Sequence, residues 1–260
     1  MSTVTATITI TITLGMVTLG TTTMTEGPVD KSLGEAGLYR LMTWLSPGYP
    51  VGAFSYSHGL EYAVEDGTVT DAAALRVWLT DLLRYGSGRN DAILFRHAHD
   101  AAGEAAARPA ALAAIAELAA AFVASSERHL ETTAQGRAFA EATTDAWPCA
   151  ALDRLLEAWD GPLAYPVVVA VAAAGHGLAL APSLNAYLHG FAGNLVSAGV
   201  RLIPLGQRAG QQVVAALEPA VAEAAAAALV TPLDDLGGAA LLADLAAMKH
   251  ETQYTRLFRS

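Results

Sequence analysis

An all-α protein is predicted from this sequence. Alanine, the strongest helix former, supplies much of the 53% hydrophobic content, and aromatic residues reach only 7%. β-Branched residues thin out past the N-terminus, and from residue 34 onward apolar residues recur at helical spacing. With 260 residues the chain can bury a sizeable core. The reading is a single globular helical domain of about ten helices over residues 34–248. A Thr-rich extension, 1–33, precedes it and a short tail, 249–260, follows it.

The extension alternates Thr and Ile from Thr5 to Leu14 with strand period, but no partner strand follows. It carries neither a basic start nor a continuous apolar run, so it makes a poor signal peptide and is expected to be disordered. The first helix, "GEAGLYRLMTWLS", places Leu38, Leu41, Met42 and Leu45 on one face and stops before Pro47. The loop "SPGYPVGAFSYSHGLE" follows and leads into a short helix that Gly67 ends. In the next helix, capped by Thr70 or Asp71, Leu75, Trp78, Leu79, Leu82 and Leu83 share a face. Asn90 is expected to cap "DAILFRHAHDAAG". An Ala-rich stretch then runs from Pro109 to about Trp147, with Ile115, Leu118 and Phe122 inward and Arg137 and Glu141 paired outside.

From Gly161 to Val200 there is no Asp, Glu, Lys or Arg, and Pro166 and Pro182 divide this span into two helices. A membrane hairpin is the alternative to buried central helices, although His176, Asn185, His189 and Asn194 argue against it. Ala186, Gly190, Asn194 and Ala198 form a small-residue ridge suited to close helix packing, within the subunit or across a dimer. Helices near Gln211–Leu217, Pro219–Val230 and Asp234–Met248 complete the series.

The formal net charge of −10 argues against nucleic acid, which requires a basic face. The single cysteine, Cys149, rules out an intramolecular disulfide and a thiolate zinc site, and fits a reducing cytoplasm. With only Lys31 and Lys249 as lysines and no phosphate-loop pattern, a P-loop nucleotide site is excluded. His97 and His99 point about 200° apart on a helix and cannot chelate one ion there. No metal site is expected. Ser55 and Ser57 beside His58 leave a hydrolase as an alternative, although such hydroxyls more often cap the following helix, as Ser57 is placed to do.

The stretch "LSPGYPVGAFSYSHGLEYAVEDGTV", the later "GVRLIPLGQ" and the terminal "HETQYTRLFRS" together resemble, in that order, three blocks of the urease accessory protein F (UreF) family. The resemblance spans about Leu38 to Ser260. It implies a non-enzymatic protein, a homodimer that binds UreD (UreH in some organisms). With UreD it brings the GTPase UreG to apo-urease, and GTP hydrolysis is coupled to nickel insertion. Such a protein holds no tight cofactor of its own, because nickel is delivered by its partners, and needs neither nucleic acid nor membrane. Residues expected at partner contacts are Tyr49, Phe54, Ser57, Glu61 and Glu65 in the first block, and Arg201 and Gln207 in the second. In the tail they are Tyr254, Arg256, Leu257, Phe258 and Arg259. Glu61 and Arg201 match family positions implicated in partner control, and both are expected to be exposed charges beside contact loops.

Overall fold

The computed structural model describes residues 34–103 and 109–260, so the Thr-rich extension expected over 1–33 lies outside the described residues. Eleven α-helices and two 3₁₀ turns occur among the described residues, with no strand. The first six helices are α1 (Glu35–Trp44), α2 (Leu60–Glu65), α3 (Ala72–Tyr85), α4 (Ser87–Gly103), α5 (Pro109–Ala121) and α6 (Ser126–Ala146). The remainder are α7 (Ala150–Ala158), α8 (Tyr165–Gly175), α9 (Leu180–Leu202), α10 (Gln207–Ala228) and α11 (Leu241–His250).

Helix α8 is the axis of the fold. Every residue from Val167 to Ala173 is completely buried, because α4, α6, α7 and α9 close around it. Each buried valine there contributes roughly 1.5 kcal/mol or more of transfer free energy. The first half of the charge-free span is thus a core helix covered by the chain's own neighbours. No helix among the described residues is long and apolar enough to cross a membrane. Part of the small-residue ridge on α9 is also used internally. Gly190 packs on Leu45, and Asn194 Nδ2 donates to the Ala53 carbonyl at 3.1 Å.

Helix α3 forms as its pattern predicts. Asp71 caps it by accepting the Ala74 N–H at 2.8 Å, and the five expected apolar residues are all buried against α10 and α4. Several other expectations need correction. In α1 the inward stripe is Gly37, Leu41 and Trp44, while Leu38 and Met42 face outward, Met42 with 67% of its surface exposed. Trp44 sets this rotation: it carries the largest apolar surface and packs edge-on against Phe139 at 5.8 Å. Asn90 is not a cap, because α4 already begins at Ser87. Its side chain instead accepts the Gly237 N–H at 3.1 Å.

The Ala-rich stretch is two helices. Ser125 caps α6 by accepting the Arg128 N–H at 3.2 Å, and Phe122 lies in the break, partly exposed rather than inward. Gly136 lets α6 touch the segment before α8, since a Cβ there would lie 1.9 Å from the Leu163 carbonyl oxygen. Finally, α10 runs through Pro219 without interruption. The buried flanking residues Leu217, Ala220 and Val221 offset a proline cost of about 3 kcal/mol. The last stretch, expected to be one helix from Asp234, is a 3₁₀ turn (Leu233–Asp235) followed by α11.

Candidate functional site

The loop between α1 and α2 winds through three left-handed residues, Gly52 (φ 71°), His58 (φ 62°) and Gly59 (φ 76°). Gly59 is required twice over, by its φ and because a Cβ there would lie 2.7 Å from the Ala247 backbone nitrogen. That approach brings α11 against α2 and lets residues 251–260 fold back over the loop. Ser57 N–H donates to the Ser260 carbonyl (2.7 Å) and Arg259 N–H to the Ser55 carbonyl (2.8 Å). Ser57 Oγ donates to the same Ser260 carbonyl (2.5 Å) and also accepts the Glu61 N–H (3.3 Å), the capping role expected of it.

Glu61 is the centre of this clamp. The exposed charge expected there is in fact buried, with 7% of its surface accessible. Its carboxylate accepts Leu257 N–H at 2.6 Å, Phe258 N–H at 2.9 Å and His250 Nε2 at 3.0 Å. The other ring nitrogen of His250 bonds Glu127 at 2.6 Å, and Arg256 reaches the second oxygen of Glu127 at 2.7 Å. Gln253 donates to Glu65. The tail is therefore ordered on the body rather than frayed, held by carboxylates of α2 and α6.

Beneath it lies a second polar layer. Glu131 of α6 pairs with Arg128, accepts Ser260 Oγ at 2.8 Å and faces His58 Nδ1 at 3.2 Å. Burial alone would raise the Glu131 carboxyl. The charges of Arg128 and His58 and their hydrogen bonds outweigh burial and hold it well below the usual carboxylate range. Burial, then Arg128, pushes the His58 imidazole below its ordinary value, against the pull of Glu131. Asp91 of α4 accepts Tyr187 O–H at 2.8 Å. Burial pushes it up to about 6, with Arg128 and the Tyr187 bond acting the other way.

Arg201, at the end of α9, lies between two rings: Phe54 of the loop, 3.6 Å from its guanidinium carbon, and Phe258 of the tail, 4.2 Å away. Its Nε donates to the Ser197 carbonyl of its own helix at 3.3 Å, and its Nη2 meets no hydrogen-bond partner among the described residues. Of the expected contact residues, Phe54, Ser57, Glu61, Glu65, Arg201, Arg256, Leu257, Phe258 and Arg259 gather at the tail and its seat. Phe258 is buried within it, whereas Phe54, Leu257 and Tyr254 are solvent-exposed. Tyr49 and Gln207 line, with Phe54, a cavity of about 400 Å³ between the loop, α6, α9 and α10; Tyr49 is buried there with its hydroxyl 2.8 Å from Thr143 Oγ1.

The profile of the UreF family matches residues 69–218. "Urease accessory protein UreF" of Rhodopseudomonas palustris (strain BisB5) is 58% identical over 226 residues, 87% of this chain and 92% of its own.

The chain belongs to the UreF family.

Two further relatives of the same name agree. The protein of Bradyrhizobium diazoefficiens is 56% identical, covering 86% of this chain and 92% of its own. That of Methylobacterium radiotolerans is 55% identical, covering 85% and 96%. Within this UreF-family chain, sequence reasoning missed Glu127, Arg128, Glu131 and Asp91. Their signal was present: acidic and basic residues on positions of α4 and α6 that face inward. It also left His250 unassigned, although His250 opens the terminal block. The predicted neighbours Ser57 and His58 do not bond to each other; His58 Nε2 meets Ser87 instead. His97 and His99 face different carbonyls, those of Thr231 and Leu178.

Proposed function

We propose that this chain is a non-enzymatic scaffold of urease maturation, which with UreD (UreH) docks the GTPase UreG on apo-urease and couples GTP hydrolysis to nickel insertion. The observation that carries this reading is the surface around the seated tail. Leu241, Leu242, Leu245 and Met248 are exposed on one side of α11, and exposed Tyr254 and Leu257 follow them in the tail. Arg256 and Arg259 stand beside that apolar strip on an otherwise acidic protein. Exposed aliphatic and aromatic side chains flanked by arginine are the mix favoured at interface anchors.

UreD is assigned to this surface, with Glu61 and Arg201 setting the tail's position rather than performing chemistry. Nickel and nucleotide belong to the partners, and the setting is cytoplasmic. The homodimer uses surface other than α8, which has no accessible area to offer from Val167 to Ala173; the outward face of α1, with Leu38, Tyr39 and Met42, is available.

Co-expression with UreD and UreG, followed by affinity purification, tests the reading. The wild-type chain should retain both partners and restore urease activity in a strain that lacks it. Leu242→Glu combined with Leu245→Glu should lose UreD with helicity unchanged. Retention of UreD at wild-type strength by that variant removes the α11 surface as the docking site.

A further inference from the structure

The cavity between the loop, α6, α9 and α10 holds polar groups that find no partner in the chain. Its volume, about 400 Å³, falls within the range of small-molecule sites. It is elongated along α9, because Tyr187 and Val200 both line it and lie roughly 20 Å apart along the helix axis. The end at α6 is polar, where Arg128, Glu131, Thr132 and Gln135 meet Asp91 of α4 and three tyrosines. Beyond them the walls are apolar, with Val51, Val196, Val200 and Val214, and exposed Gln207 and Gln211 edge the far end.

Most groups at the polar end are committed. Thr132 Oγ1 accepts the Tyr165 N–H at 3.2 Å, and the Tyr49 hydroxyl lies 2.8 Å from Thr143 Oγ1. Glu131 is taken by Arg128, His58 and Ser260 Oγ, and its charge offsets that of Arg128 at direct contact. Three groups are left over among the described residues. Asp91 spends one oxygen on the Tyr187 O–H and keeps the other. The Gln135 amide has no hydrogen-bond partner, although only 6% of the residue's surface is accessible. The Tyr165 hydroxyl has none either; burial, then the neighbouring Tyr49, raises it, and no bond acts the other way. Buried polar groups in folded chains are otherwise hydrogen-bonded, so three together on one cavity wall mark the seat of a guest.

We infer that this cavity binds a primary alkylammonium ion, with its head at Asp91, Gln135 and Tyr165 and its stem along Val196, Val200 and Val214. An ammonium group has three donors and no acceptor, and the carboxylate, amide and phenol oxygens waiting there all accept. Arg128 does not bar the cation, since Glu131 already offsets it; Asp91 then leaves this end with one net negative charge above pH of about 6. An anionic head would instead meet Asp91 and Glu131 and find Arg128 engaged. A resident metal ion is poorly served, because Asp91 offers the one free carboxylate and no group of three His, Cys, Asp or Glu able to hold a metal occurs among the described residues. The rings of Tyr49, Tyr165 and Tyr187 add a surface that attracts cations. The ligand is held without chemistry, apart from the partner surface on α11.

Titration calorimetry of the full-length protein with n-hexylamine, at pH 7.5 and near-physiological salt, should show saturable one-to-one binding with a Kd of about 1 mM or below. 1-Hexanol and hexanoate carry a comparable stem and should bind about 10-fold more weakly or worse. Asp91→Asn and Gln135→Leu should each weaken hexylamine by about 10-fold or more. Val214→Phe narrows the apolar part and should weaken hexylamine more than propylamine. Circular dichroism checks that each variant is folded. No saturable binding to the folded wild type, equal affinity for 1-hexanol, or full affinity in either folded polar variant overturns the inference. So does full hexylamine affinity in folded Val214→Phe. Retention of UreD and UreG should be unchanged by saturating hexylamine; loss of either would give the site to a lysine side chain of that partner and overturn the assignment to a free ligand.

Discussion

Replacing Glu61 by alanine should free the tail without unfolding the body. The wild-type carboxylate accepts two backbone N–H groups, of Leu257 and Phe258, and one imidazole nitrogen, of His250. Each donor left buried without a partner costs roughly 1–3 kcal/mol, and such costs within one network are not additive. Loss of one member of a buried charged pair costs about 3–5 kcal/mol. About 4 kcal/mol against the seated tail is the working figure, and at about 1.4 kcal/mol per decade it raises the open population near 10³-fold. Amide hydrogen exchange reads this directly. Exchange at Leu257 and Phe258 should accelerate by about that factor while the amides of Val168 to Ala173 in α8 hold their wild-type rates. Glu61→Gln, which keeps one acceptor oxygen, should fall between. Unaltered exchange at Leu257 and Phe258 in the alanine variant would refute the clamp. Acceleration in α8 to the same degree would show that Glu61 supports the whole fold and not the tail.

Asp91→Asn should stabilise the protein increasingly with pH. A carboxyl raised from 3.8 to about 6 favours the protonated folded state, so wild-type stability is lost as pH rises from about 4 through about 6, whereas Asn does not titrate. Each tenfold in proton affinity is about 1.4 kcal/mol, giving at most about 3 kcal/mol, and about 2 after allowing for partial exposure of Asp91. Urea unfolding of both proteins at pH 4.5 and 7.5 checks this, and a pH-independent difference contradicts it. Deleting residues 249–260 should keep the helical circular dichroism signal, lower Tm by about 5 °C and eliminate retention of UreD; a truncated chain that still retains UreD moves the docking site elsewhere. Gly136→Ala should cost about 3 kcal/mol or more, seen as a fall in Tm, because its Cβ would overlap the Leu163 carbonyl oxygen. Wild-type Tm in that variant would show that α6 can retreat from the segment before α8.

Local signals are legible where a single pattern acts alone. The cap Asp71 and the apolar run of α3 need no outside information, and the lack of charge from Gly161 to Val200 announces a buried helix. Elsewhere tertiary contacts override them. Trp44 turns α1 by one position, Ser125 divides an alanine-rich run that propensity would continue, and packing carries α10 through Pro219. The terminal block and Glu61 are both recognisable as important, yet their partnership is not. His250 and Glu61 are 189 residues apart and Leu257 and Glu61 are 196 apart, separations at which no periodicity connects them. The burial of Glu61 is equally hidden. A charged residue in the first turn of a short helix ordinarily faces water, and only the returning tail supplies the donors that let it be buried. The Ser87–His58–Glu131 set shows the same limit, since the serine next to His58 in sequence is not the one that meets it.

The placement of Arg201 makes the tail a cover over charge as well as an apolar surface. With the tail seated, the guanidinium is walled by Phe54 on one side and Phe258 on the other, and burial lowers its proton affinity. Lifting residues 257–260 takes away the Phe258 wall and leaves Phe54 in place, so a permanent cation turns toward solvent on a protein of formal net charge −10. The same motion takes the Leu257 and Phe258 amides away from the Glu61 carboxylate. The last four residues thus decide whether this end of the molecule presents a mostly apolar surface or a guanidinium and a carboxylate that have lost their covers, and a protein arriving there meets two different electrostatic faces on one unchanged helical body.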